Sequence, residues 1–162
     1  MAREIKQTYE INAPIDKVWE TLTEIERYKD WNPFVVEAHC RSSARSLGAV
    51  MKLRVEWSGG GGARSTEEVI EVIAPSQDSG QLSASWVYSL RGWMHAIGMV
   101  RSLRAQRLRQ VPGGPTLYES EISLTGWGAG GAPLAKVREG MSAQAEALKR
   151  YVEGGPSVKD SP

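Results

Sequence analysis

His95, Gln106 and Tyr118 are the side chains here best suited to move or steer a proton at a ligand. An imidazole titrates near neutral pH and can act as general acid or base. An amide and a phenol can hydrogen-bond a carbonyl or hydroxyl and hold it in one orientation. His95, in GWMHAIGM, equally fits an ordinary position in a connecting segment, and His39, beside Cys40, has no metal-ligand spacing. No G-x-S-x-G nucleophile motif is present, and the single cysteine, Cys40, excludes an intramolecular disulfide and a cysteine-rich metal site. Neither a metal nor a cofactor is expected.

Three further patterns invite chemistry. Gly126, Gly128 and Gly131 spell G-x-G-x-x-G, the spacing that lets a backbone approach a pyrophosphate. Arg101, Arg104, Arg107 and Arg109 form a basic run. No aromatic stacking pattern interleaves it and the formal net charge is only +1, so it reads as a solvated face and not a nucleic-acid site, with one arginine free to turn inward toward a carboxylate or enolate. Met94, Ile97, Met99 and Val100 could form an adaptable apolar lid or pack as a plain connecting helix. The aromatic balance is unusual, with six tryptophans and five tyrosines against one phenylalanine. Such flat side chains with a polar edge suit a cavity that orients a ring system.

The elements that must carry these residues follow from periodicity. Glu4 to Ile11 alternates as a strand, and Pro14 opens a helix with Ile15, Val18, Trp19 and Leu22 on one face. A second short helix is expected over Glu24 to Lys29, ended by Trp31-Asn32-Pro33. Strands are then expected at Phe34 to Cys40, Ala49 to Trp57, Ser65 to Ile73, Gln81 to Leu90, Leu103 to Val111 and Tyr118 to Thr125. Turns are expected at SGGGGA, Ala74-Pro75-Ser76 and Pro112-Gly113-Gly114-Pro115, and a bulge where Val69-Ile70 and Val72-Ile73 break the alternation. A long final helix places Leu134, Val137, Met141, Ala145, Leu148 and Val152 on one stripe.

This order answers the glycine motif. A dinucleotide fold needs a parallel strand after its helix, and only Gly154 to Pro162 follow, so the glycines read as a tight strand-to-helix corner. One domain is expected over residues 1–153, with 154–162 an unstructured tail. The charged N-terminal segment has no apolar signal core and no stretch is long enough to span a membrane, so the expected location is the cytoplasm. The expected state is monomer or homodimer.

The succession of strand, two short helices, six strands and long helix resembles the START-like superfamily, which includes birch-pollen-allergen-like proteins and bacterial polyketide cyclase/dehydrase proteins. The likeness runs from about Ile5 to Val152, and its best local match is Ile11 to Val35, with the Ala13-Pro14 turn, Val18-Trp19 and the Tyr28…Trp31-Asn32-Pro33 block. The resemblance implies an α+β helix-grip fold: a curved seven-stranded antiparallel sheet wrapped around the C-terminal helix, with a cavity between them. Segment 91–102 departs from the family by its length and apolar character, and the arginine run by its density.

By alternation Trp57, Trp86, Tyr88 and Tyr118 are expected to line that cavity, with Gln106 and Ser120 adding hydrogen bonds. Trp31, Met51 and Met141 complete the expected lining. The leading expectation is binding of a hydrophobic, ring-containing small molecule. A second is a polyketide cyclase/dehydrase-type enzyme that folds a polyketide for aldol cyclisation and dehydration, chemistry that orientation alone can accelerate. A third is a protein-interaction domain like the heat-shock co-chaperone activators that share the fold.

Overall fold

A computed structural model describes residues 2–154. The expected tail, apart from Gly154, lies outside the described residues. The chain forms β1 (Arg3–Ile11), α1 (Ile15–Thr23), a 3-10 turn (Ile25–Arg27), α2 (Tyr28–Trp31), β2 (Val35–Cys40), β3 (Val50–Glu56), β4 (Gly62–Asp78) and β5 (Gln81–Arg91). It continues through α3 (Trp93–Ala96), β6 (Arg101–Gln110), β7 (Thr116–Thr125), a second 3-10 turn (Ala129–Gly131) and α4 (Leu134–Val152). The sheet order is β1-β7-β6-β5-β4-β3-β2, and each neighbouring pair is antiparallel. This is the α+β helix-grip arrangement expected from the sequence, with α4 covering one face of the sheet.

Local chemistry explains the entry segment. Pro14 caps α1 in an extended conformation, and the first helical N–H, that of Ile15, donates to Gln110 Oε1 at 3.0 Å. After α2, the Asn32 side-chain oxygen accepts from the N–H groups of both Phe34 and Val35 at 2.9 Å, which turns the chain past Pro33 into β2. Ile15, Val18, Trp19 and Leu22 are all buried. Burying each such large side chain is worth about 1.5–3 kcal/mol.

α4 lies against β1, α1 and α2 and buries Met141, Ala145, Leu148 and Val152. Gly140 permits the closest approach: a Cβ there would sit 2.2 Å from the Phe34 ring, which itself packs on Trp57 at 5.8 Å. Trp31 stacks on Tyr151 of α4 at 6.1 Å and meets Tyr28 edge-on at 5.2 Å. The C-terminal half of the helix is further tied down by Lys149 Nζ, which donates to the Glu10 carbonyl at 2.7 Å.

Two expectations are corrected. β4 does not stop at Ile73 with a turn over Ala74-Pro75-Ser76; it runs on to Asp78, and the chain turns at Ser79 and Gly80, both with positive φ (49° and 82°). Pro75 is tolerated because it sits inside a register shift between Ile73 and Ser76, where the ladder does not use its missing N–H. A second shift, between Val69 and Glu71, is the bulge that the broken alternation suggested. The second short helix begins as a 3-10 turn and ends at Trp31 instead of Lys29.

The glycine corner is also explained. Gly126 has φ 108°, and a Cβ there would lie 2.5 Å from the Met99 carbonyl oxygen and 2.6 Å from that of Gly98. The glycine lets the segment after α3 press against the β7–α4 connection. Among the described residues no parallel strand follows α4.

Candidate functional site

Antiparallel register decides which side chains meet on the face under α4, because directly paired residues point to the same side. Tyr88 stands opposite Arg104 and Trp86 opposite Gln106; across the next ladder Gln106 faces Ser120 and Leu108 faces Tyr118. Val69 opposite Tyr88 and Glu67 opposite Leu90 extend this inner face onto β4.

The polar groups on this face form a chain. Tyr118 OH donates to Gln106 Oε1 at 2.7 Å, and Gln106 Nε2 donates to Tyr88 OH at 3.3 Å. Burial raises the pKa of both tyrosines, against the opposing pull of Arg104, so both stay protonated donors over the working range of pH. Beside them Arg104 Nη1 donates to Ser120 Oγ at 2.8 Å and to the Glu121 carbonyl at 3.2 Å.

Two charged groups on the strands of this face are left incomplete, and the buried Gln144 of α4 also has an unpartnered Nε2. Arg104 is 6% exposed and its Nη2 has no partner; Glu67 is 8% exposed and its Oε2 has none. Burial raises the Glu67 pKa to about 7, with Ser65 and Arg104 pulling the other way. An unsatisfied buried polar group costs about 1–3 kcal/mol, and more when charged. The face therefore presents one cationic donor and one carboxyl near its titration point, set among Trp86, Tyr88 and Tyr118.

The residues singled out by sequence separate into groups. Gln106, Tyr118, Tyr88, Trp86 and Ser120 come together on the inner face, all buried, with Trp86 Nε1 donating to the Ala44 carbonyl at 2.9 Å and its ring 4.9 Å from that of Tyr88. Met51 and Met141 are buried in the same core, and Trp31 lies in the aromatic stack between α2 and α4. Trp57 is half-buried at the β3–β4 hairpin, where an open groove of about 450 Å³ also touches Gly61 and Arg64. His95 is on α3, away from the Gln106–Tyr118 pair, with no hydrogen bond to either.

The arginine run divides by strand parity: Arg101 and Arg109 are exposed and Arg107 is half-buried in outer-face ion pairs, while Arg104 points inward. Arg104 is thus the arginine that turns inward, the option the sequence left open, while the others stay on the solvated face. The sequence reading missed Glu67 altogether. Alternation with Gln106 and Leu108 marks Arg104, whereas the β4 bulge hides Glu67.

The face is not equally closed along its length. Gln106, Tyr118 and Ser120 are sealed, whereas Ser65, Leu90, Ser102, Ile122 and Val137, toward the N-terminal half of α4, are half-buried. That end is rimmed by α3 and by the β7–α4 connection. A second open groove, about 630 Å³, lies among Lys52, Arg64, Thr66, Arg91 and Met94. No group of histidine, cysteine and carboxylate side chains able to hold a metal occurs among the described residues, and no helix among them is long and apolar enough to cross a membrane.

A family model described as polyketide cyclase / dehydrase and lipid transport matches residues 2–153. No curated protein sequence matches the chain. Similar solved structures include the Zhui aromatase/cyclase from Streptomyces sp. R1128, at 16% identity and TM-score 0.66 over 96% of this chain and all (100%) of that one. Another is ginseng major latex-like protein 151 from Panax ginseng, at 8% identity and TM-score 0.70 over 93% and 97% of the two chains. Norcoclaurine synthase from Thalictrum flavum, in complex with dopamine and hydroxybenzaldehyde, is similar at 11% identity and TM-score 0.67 over 97% and 90%. At these identities the likeness is one of fold.

Proposed function

Since this chain belongs to the polyketide cyclase/dehydrase and lipid transport family, we propose that it binds a hydrophobic, ring-containing small molecule between the sheet and α4, with the ligand's polar end at Arg104. The observation that supports this is the pair of incomplete buried groups, Arg104 Nη2 and Glu67 Oε2. A ligand oxygen at Arg104 would complete the guanidinium, and Trp86, Tyr88 and Tyr118 offer flat apolar walls for its rings. Entry is from the half-buried end of the face, where Met94 and Met99 act as an adaptable lid.

A second reading, the cyclase/dehydrase, draws on Glu67. A carboxyl with a pKa of about 7 is suited to general acid–base work near neutral pH. Glu67 would take a proton from the carbon between two carbonyls, and Arg104 would hold the resulting enolate oxygen. After the carbon–carbon bond forms, Glu67 would return that proton to the new alkoxide; it would then take the second proton from the same carbon and deliver it to the hydroxyl, which leaves as water as the carbon–carbon double bond forms. Gln106 and Tyr118 would orient the chain, and His95, on the rim, would stand outside the proton path.

The first test is native mass spectrometry of freshly purified protein, joined to titration with 8-anilino-1-naphthalenesulfonate, an anionic ring-bearing probe. An adduct that leaves on denaturation, or probe binding that weakens about tenfold in Arg104→Leu, supports the binding reading. Equal probe affinity in wild type and variant overturns the role given to Arg104. Turnover of a cyclisable poly-β-ketone mimic, lost in Glu67→Gln, separates catalyst from carrier.

A further inference from the structure

Two tryptophans lie on the surface at the open end of the molecule. Trp93 on α3 is 67% exposed, and Trp127, between Gly126 and Gly128, is 73% exposed. Met94 stands beside Trp93 on the same short helix, and Ile97, 56% exposed, caps its C-terminal end. The two segments interlock. The Gly128 N–H donates to the Met99 carbonyl at 2.8 Å, and the N–H groups of Met99 and Val100 return to the Met94 carbonyl at 2.9 and 3.2 Å. From β1, Arg3 Nη1 holds the carbonyls of Ala129 and Gly130 at 3.2 and 3.0 Å. The tryptophans are therefore carried on one braced rim. Trp86 shows that this fold can bury an indole when its N–H finds a carbonyl; Trp93 and Trp127 are instead left outside, with their rings in water.

The charge of this rim is one-sided. Residues 91–102 and 122–138 contain no aspartate or glutamate, while they supply Arg91, Arg101, Lys136 and Arg138. Arg3 adds to them, and the groove that includes Met94 and Arg91 brings in Lys52 and Arg64. The nearby carboxylates are few. Glu68 is paired with Arg91, Glu37 in the same groove is paired with Arg54, Glu139 accepts from Ser58 Oγ at 2.6 Å, and Glu4 lies on the outer face of β1. A protein whose formal net charge is only +1 thus gathers positive charge around its most exposed aromatic residues.

Exposed tryptophans set in a surface richer in cations than in carboxylates match the interface of an anionic bilayer. Indole rings favour the headgroup level, and each arginine or lysine near such a surface is drawn to its negative potential. We propose that this rim, through Trp93 and Trp127, docks on an anionic phospholipid surface and brings the open end of the inner face to it. The docking does not depend on which molecule the inner face binds.

The test is co-sedimentation of the full chain with vesicles of phosphatidylcholine alone and of an equimolar phosphatidylcholine–phosphatidylglycerol mixture. Wild type is expected to sediment with the anionic vesicles and to release on raising the salt. Trp93→Ser/Trp127→Ser should lower vesicle affinity about tenfold or more while keeping the wild-type unfolding midpoint, because both side chains are already in water. Lys136→Gln/Arg138→Gln should weaken anionic binding alone. Equal binding by the double tryptophan variant, or no sedimentation with either vesicle, overturns the proposal. A concentration-dependent dimer in sedimentation velocity that the double variant abolishes, without vesicle binding, also overturns it and makes this rim a contact between copies of the chain.

Discussion

Arg104 and Arg107 lie three residues apart on β6 and face opposite sides of the sheet. On the outer side, Arg107 Nη1 is shared between Glu119 at 3.3 Å and Glu121 at 2.9 Å, and Lys6 Nζ reaches Glu119 at 3.0 Å. Burial alone would raise the Glu119 pKa, but these cations hold it below its ordinary range. On the inner side, Arg104 has one nitrogen bonded to Ser120 and the Glu121 carbonyl and another with no partner, and the carboxyl of Glu67 is equally incomplete. Bulk water can complete a surface ion pair at little cost; under α4 completion takes an ordered water or a bound ligand group. The contrast is the reason the proposed site is centred on the unsatisfied pair, while the satisfied outer network serves the fold.

Glutamine at position 67 should change the contrast most. The Glu67 carboxyl ionises near 4.5 ordinarily and at about 7 in the folded chain, so the folded state binds this proton more tightly than the unfolded one. Wild-type stability should therefore be highest below the lower value and fall by roughly 3 kcal/mol as pH rises through the upper one. Urea unfolding at about pH 5 and about pH 8 reads that loss, and Glu67→Gln should remove most of it. A slope unchanged in the variant would place the proton elsewhere.

Next in size is the difference between Arg104→Leu and Arg107→Leu in binding the naphthalenesulfonate probe. The inner substitution should raise Kd about tenfold or more and the outer one less than about twofold. Equal losses would mean that the probe does not read the inner face.

Tyr118→Phe removes the donor to Gln106 and leaves its Oε1 without this bond, which should cost about 1–2 kcal/mol in thermal or urea unfolding. The smallest effect belongs to the outer network: Arg107→Gln should cost less than about 1 kcal/mol, and added salt should shrink it further. An Arg107 variant more damaging than Tyr118→Phe would reverse the comparison.

Particular elements show how far the sequence could be read. The inward set of β3, Met51 and Leu53, and the helix stripe Met141, Ala145, Leu148 and Val152 follow from period alone, and the structure buries them. The aromatic and polar partners Trp86, Tyr88, Gln106, Tyr118 and Ser120 were legible for the same reason. Glu67 was not, because the shift between Val69 and Glu71 breaks the parity of β4 close to it. Trp93 and Trp127 carry no local sign of exposure, since an indole in a connecting segment can turn either to the core or to water.

By itself, then, the sequence determined the alternating faces, the entry turn built on Pro14 and Asn32 and the amphipathic final helix. These depend on periods and turn chemistry that act over a few residues. The tertiary structure decided that Glu67 and Arg104, on either side of β5, share one buried face, and that Trp93 and Trp127 ride on one rim. Those meetings depend on strand order and loop contacts between residues far apart in the chain, which no local period encodes.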